Sequence, residues 1–270
     1  MKHYLSILRP LNGVMSAAAV YVGSAVAGAG FSPSFAVMLG MLITFLISGA
    51  GMIVNDIRDL NIDKTNRPDR PLPAGKMKAR NAWAYCAVLF IIGNALAIAF
   101  LSREALYVTL LASSLLLVYN SYLKRVVMAG HLAISFLVGL AFLYGGVIAG
   151  NYLPVLPLML LAFLSNAGRE VFKTIEDALG DKKHHVTTIT IRYGAHTAKK
   201  VASVFIIVAV LLSFVPYVLG ILGKSYLAIV LVADVVFVAA TVVPMRHASK
   251  LTKAAMVAAL IAFIVGAYAG

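Results

Sequence analysis

Runs of about twenty apolar residues recur along the whole chain, and each is long enough to cross a bilayer as an α-helix. We read nine of them, over roughly 10–29, 35–54, 82–101, 106–122, 131–149, 153–172, 201–222, 226–243 and 254–269. The runs lack strand alternation, and a backbone inside lipid must satisfy its own hydrogen bonds. An all-α, polytopic membrane bundle of nine transmembrane helices is therefore expected. The polar positions add direction. When nine spans alternate across the membrane, all of the 23 lysines and arginines except Arg103 and Lys224 fall on one side. By the positive-inside rule that side is cytoplasmic and holds the amino terminus; one span more or fewer scrambles the sorting.

Composition narrows the class. Among 270 residues, 61% are hydrophobic and 12% charged, far from the usage of soluble domains. The net charge of +13 lies in stretches between apolar runs, so it reports topology and gives no reason to expect a nucleic-acid partner. A single cysteine, Cys86, sits inside an apolar run, which excludes an internal disulfide and a cysteine metal site. No cleaved signal peptide is recognisable and no linker divides the chain, so one transmembrane domain over 1–270 is expected. Two cytoplasmic connections, 55–81 and about 173–200, are long for a helical bundle, and long connections in compact domains are usually functional.

The first of these, NDIRDLNIDKTNRPDRPLPAGK from Asn55 to Lys76, holds four of the chain's ten acidic residues. If 44–63 is one helix leaving the membrane, Asp56, Asp59 and Asp63 share a face, with Asn55 four residues before Asp59. Clustered carboxylates repel one another unless cations hold them. Hard oxygen ligands of this kind suit Mg²⁺, which takes one or two carboxylates together with substrate phosphates. A magnesium diphosphate site at a membrane surface is the chemistry this stretch points to.

A second cluster follows the sixth run, in NAGREVFKTIEDALGD. Asp177 and Asp181 are four apart, Glu170 lies seven residues before Asp177, and Arg169 and Lys173 form a basic pair beside them. Two carboxylate sets on different helices at one membrane edge are suited to two Mg²⁺ ions bridged by a diphosphate. Between the clusters, Tyr119 and Lys124 stand at the cytoplasmic end of the fourth run. Lys124 is a cation for phosphate oxygens, whereas Tyr119 is read equally as an interface aromatic. Asn12, Asn94, Asn120 and Asn166 place polar groups inside apolar segments, where such groups face a bundle interior. Asp234 in the eighth run is an isolated acid that is protonated, near an interface or lining a cavity.

These residues carry a resemblance. The first stretch resembles the NDxxDxxxD motif of the UbiA-type intramembrane prenyltransferases, with the arginine-proline run after it. The Tyr119 to Lys124 element and REVFKTIEDALGD resemble that family's two later motifs, and the opening LRPLN and the nine spans fit as well. The resemblance covers essentially the whole chain. It implies nine helices around a central cavity, a cytoplasmic polar cap, a lateral opening to lipid, and Mg²⁺-dependent transfer of an isoprenyl chain from its diphosphate. By position it implies that Asn55, Asp56, Asp59 and Asp63 serve a first metal and Asp177 and Asp181 a second. Arg67, Lys124, Arg169 and Lys173 are then the groups for phosphate oxygens, with Asn12 and Asn166 as further substrate contacts. The chain has Thr174 where many members have an aspartate. Within the family, the length, NRPDRPLPAG and the basic second connection are most similar to archaeal enzymes that join a geranylgeranyl chain to the free hydroxyl of geranylgeranylglyceryl phosphate. Lys182, Lys183, His184 and His185 are read either as cations for that acceptor's phosphate or as a solvated turn. An aromatic acceptor uses the same diphosphate machinery and stays open, and a membrane transporter is the rival class.

Overall fold

Helix ends follow local sequence. Ser34 and Ser102 cap two helices by accepting the backbone N–H groups of Val37 and Ala105, each at 3.3 Å. Pro10 opens the first span, where a missing N–H costs nothing. The computed structural model describes residues 2–30, 32–183 and 187–268. Among them nine helices are long and apolar enough to cross a membrane: α1 (Pro10–Ala29), α2 (Phe35–Arg58), α3 (Ala79–Phe100), α4 (Arg103–Ser121), α5 (Ala129–Ile148), α6 (Leu153–Glu176), α7 (Ala195–Val218), α8 (Lys224–Val242) and α9 (Met245–Tyr268).

The expected spans are all present, with two boundaries to correct. The last helix starts at Met245 and not near 254, and α7 covers 195–218 where 201–222 was expected. Charge misled both readings. Lys250 and Lys253 resemble a connecting segment, as do Lys199 and Lys200, yet all four lie on helices that continue past the apolar zone.

Consecutive helices pack side by side, and α1 also touches α9, so the nine form a closed ring; α1 meets α5 and α6 meets α9 across it. Large apolar side chains face outward, as a lipid solvent permits: Ile91, Leu211 and Val235 are 67%, 68% and 70% exposed. The inner contacts depend on small residues. A Cβ on Gly145 would lie 1.9 Å from the Val20 carbonyl oxygen, and one on Gly23 would lie 2.0 Å from that of Phe142. Backbone on both sides leaves no room to yield, so α1 and α5 are held at the close approach that glycine allows.

The single helix expected over 44–63 is interrupted. α2 ends at Arg58, Asp59 adopts φ −91° and ψ 5°, and a short helix Leu60–Asn66 follows. α6 ends the same way: Asp177 has φ −89° and ψ 0° and precedes the short helix Ala178–Lys183. These two short helices pack against each other. The repeated helix, aspartate break and short helix bring the two long connections together over one end of the ring.

Candidate active site

Asp56, Asp59 and Asp63 each meet a cation. Asp56 is buried at the end of α2, where it accepts from Arg9 and, at 3.2 Å, from Arg70. Arg9 caps α1 with φ 49°, a left-handed conformation unusual for arginine. Arg70 reaches Asp63 as well, at 2.5 Å. Asp59 pairs with Lys124, whose ammonium also donates to the Asn55 side-chain oxygen at 2.8 Å; the Asn55 amide returns a bond to Asp59 at 3.1 Å. Asn55, Asp59 and Lys124 thus form one hydrogen-bonded unit, and Asp56 and Asp63 another.

The second cluster joins the first through Asp177, which accepts from Arg67 at 2.9 Å, while Asn66 donates to its carbonyl at 3.4 Å. Asp181 is buried and has no basic partner among the described residues. Burial, with Asp177 and Asp59 nearby, pushes its carboxyl up to about 6. Burial also raises Asp63, against the pull of Arg70. Glu170, expected to share the Asp177 and Asp181 face, departs from it: it pairs with Arg169 at 2.8 Å and Lys173 at 3.5 Å. The break at Asp177 turns the later acids away from the α6 face that carries Glu170. Thr174 is buried, donates to the Val171 carbonyl and meets the Thr190 hydroxyl at 2.6 Å, so it serves packing within the α6 connection.

Beneath this cap lies a chamber of about 560 Å³. Its mouth is lined by Arg9, Asn55, Arg67, Arg70, Arg169 and Lys173, and its interior by apolar side chains such as Ile47, Leu116, Phe142 and Phe263. Tyr119 lines it too, which decides against a purely interfacial place. Asn166 also faces it and donates to Ser135 at 3.1 Å. Asn12 accepts from Lys253 at 2.9 Å, tying α1 to α9 at the mouth. Asp234 resolves to the cavity-lining reading: it is buried in the chamber wall and accepts from Ser213 at 2.7 Å, whose carbonyl accepts from Tyr226 at 2.6 Å. Lys182 and Lys183 are exposed, as a solvated turn requires, and His184 and His185 lie outside the described residues.

The donor chemistry fits Mg²⁺. As they stand, no three histidine, cysteine or acidic side chains among the described residues converge on one metal position. Mg²⁺ does not need such a cage, because it binds through one or two carboxylates and completes its shell with phosphate and water. Arg70 and Lys124 neutralise the carboxylates in this arrangement, and Asp181 is an under-neutralised acid facing two others. Sequence reasoning missed Arg9, Arg70 and Lys253 as members of the site. The partners of Arg9 and Lys253 are 47 and 241 positions away along the chain, and the charges of all three read as topology signals.

Comparison with known proteins agrees with this geometry. The UbiA prenyltransferase family pattern matches residues 16–267. Proteins named digeranylgeranylglyceryl phosphate synthase from Methanopyrus kandleri and Methanococcoides burtonii are 34% and 38% identical, covering 98% and 99% of this chain and 98% and 100% of their own. A solved structure concerned with digeranylgeranylglyceryl phosphate synthase in membranes is 33% identical, with a TM-score of 0.80 over 100% of this chain and 99% of that one. A UbiA homologue from Archaeoglobus fulgidus, solved with GPP and Mg²⁺, has the same fold: 20% identity and a TM-score of 0.73 over 98% of both chains. The chain belongs to the UbiA prenyltransferase family.

Proposed function

We propose that the protein transfers a geranylgeranyl group from its diphosphate to the free hydroxyl of geranylgeranylglyceryl phosphate, at the cytoplasmic face of an archaeal membrane. The observation that carries this reading is a single chamber that runs from a cap of carboxylates and guanidiniums into an apolar interior. A diphosphate with a long hydrocarbon chain needs that sequence of environments. The full-length likeness to proteins named for the glyceryl phosphate product supports the acceptor.

Asn55, Asp56, Asp59 and Asp63 are the groups for one Mg²⁺, and Asp177 and Asp181 for a second. Bound there, Mg²⁺ supplies positive charge against the leaving diphosphate. Arg67, Lys124, Arg169 and Lys173 hold phosphate oxygens, which requires Lys124 and Arg67 to release Asp59 and Asp177 as the metal and substrate arrive. These cations are in place before the bond stretches, so charge developing on the diphosphate meets fixed partners. The allylic C–O bond breaks with its electron pair leaving on the diphosphate; the acceptor hydroxyl oxygen bonds to the allylic carbon, and its proton passes to water or to Asp56, Asp59 or Asp63. The apolar chamber keeps other water from the cation, and Tyr119 offers it a π face. Concentration of the acids at one end of the ring, away from the middle of the spans, favours this chemistry over transport.

The test is a transfer assay in lipid or detergent with labelled geranylgeranyl diphosphate, offering geranylgeranylglyceryl phosphate beside 4-hydroxybenzoate. Product is expected with the glyceryl phosphate alone, abolished by EDTA and lowered at least about 100-fold by Asp59→Ala. Product with 4-hydroxybenzoate alone overturns the acceptor and leaves the family chemistry standing.

A further inference from the structure

The mouth of the chamber holds more positive charge than the aspartate clusters, Glu170 and Glu176 neutralise. Arg9, Arg67, Arg70, Arg169 and Lys173 each pair with an acid, and Lys250 of α9 feels the charge of Glu176, whereas Lys253 of α9 has no acidic partner among the described residues. Lys253 is half-buried and spends one of its three donors on Asn12; the others have no partner among the described residues. The charges it feels from Arg169 and Arg9 are repulsive. Two further donors beside it are unused. Arg169 Nε is buried without a hydrogen-bond partner, and the hydroxyl of buried Ser249 makes no hydrogen bond among the described residues. A half-buried cation surrounded by like charge and idle donors is costly unless an anion joins it.

The rest of the same helix face says what is attached to that anion. Ser249, Lys253, Met256, Leu260 and Phe263 recur at steps of four and three, and all line the chamber. The polar members sit at the mouth and the apolar ones follow inward, the whole stripe running for about 21 Å at ~1.5 Å per residue. This stripe matches a molecule with an anionic head and a long apolar chain.

We propose that Ser249, Lys250 and Lys253, with Asn12 and Arg169 Nε, seat the phosphate of the acceptor, whose chain lies along α9. The seat rests on the functional reading above and replaces the Lys182 to His185 run as the source of cations for the acceptor. It lies beside the metal-dependent diphosphate site and shares only Arg169 with it, so Lys253 and Ser249 serve the acceptor's phosphate alone. Lys253 is a specificity-determining residue: it binds the end of the acceptor that does not react.

Steady-state kinetics of Lys253→Met and Ser249→Ala test this, with geranylgeranylglyceryl phosphate and phosphate-free geranylgeranylglycerol as acceptors. Lys253→Met is expected to raise the KM for the phosphate acceptor about tenfold or more. The KM for geranylgeranyl diphosphate moves less than about twofold, and use of the phosphate-free acceptor is unchanged. Lys253→Arg restores most of the loss. Equal losses with both acceptors, or an equal rise in the KM of the diphosphate, overturn the seat. Should the wild-type protein transfer to neither acceptor, the functional reading fails while the seat is still judged by binding without diphosphate or metal. Geranylgeranylglyceryl phosphate must then raise the melting temperature of the wild type and not of Lys253→Met; equal shifts overturn it.

Discussion

Arg70 is the residue on which the resting site turns, because one guanidinium serves both Asp56 and Asp63. Asp56 keeps Arg9 when Arg70 is removed, but Asp63, 5% exposed, is left a carboxylate with little water to stabilise it. Arg70→Met is expected to destabilise the metal-free protein by about 3 kcal/mol, and Mg²⁺ should recover part of the loss by taking over the charge. Thermal melts in detergent with and without Mg²⁺ check both halves; a loss that Mg²⁺ does not reduce places Arg70 outside the metal region. Asp181 supplies a pH signature. Its carboxyl moves from 3.8 to about 6 on folding, so between those values the folded state binds more protons than the unfolded one. Metal-free stability therefore falls as pH rises through that window. Mg²⁺ needs the deprotonated form, so its stabilising effect grows over the same window. Melts at about pH 5 and pH 7 should show both trends, and Asp181→Asn should flatten them.

At the scale of helices, the close approach of α1 and α5 positions the site, since α1 carries Arg9 and Asn12 into the mouth. Gly145→Ala sets a methyl against the Val20 carbonyl and the Ser24 amide at 1.9 and 2.7 Å, so the helices must separate. Gly51→Ala meets only the end of the Leu116 side chain at 2.7 Å, which can turn away. We expect Gly145→Ala to cost about 1–3 kcal/mol and Gly51→Ala much less, as read from melting temperatures of the two variants. The matched breaks at Asp59 and Asp177 act at this scale too. They fold each long connection back over the ring, which lets Arg67 reach Asp177 across 110 positions of chain.

For the whole molecule, chamber volume decides which chains are accepted. Ala162 lines the inner part of the chamber on α6, and Ala162→Phe fills space needed by a long isoprenyl chain. The variant should lose about tenfold or more in kcat/KM with geranylgeranyl diphosphate while a ten-carbon donor is spared. An equal loss with both donors assigns the effect to a distorted bundle. Orientation is a second test at this scale. With Cys86 replaced by serine, Lys183→Cys should react with a membrane-impermeant thiol reagent only from the cytoplasmic side.

The apolar runs and the one-sided placement of basic residues were sufficient for nine helices and their alternation. Both follow from the thickness of the bilayer and the electrostatics of insertion, which act locally along the chain. The aspartate clusters were equally legible, because spacings of three and four put Asp56, Asp59 and Asp63 together on any helix or near one. Partners were not legible. Whether Arg9 is an anchor for topology or a ligand for Asp56 depends on how α1 packs on α2, and whether Lys253 sits in a loop or in a chamber wall depends on the ring closing through α1 and α9. That closure is a matter of steric fit between helices distant in the chain. The break at Asp59 was hidden for the same reason: helical periodicity continues through it, and only packing of Leu60–Asn66 against Ala178–Lys183 decides that the chain turns there. Sequence alone thus determined the spans and the acids, through local physics, and the tertiary structure decided which cation meets which acid and which cations are left for a second phosphate.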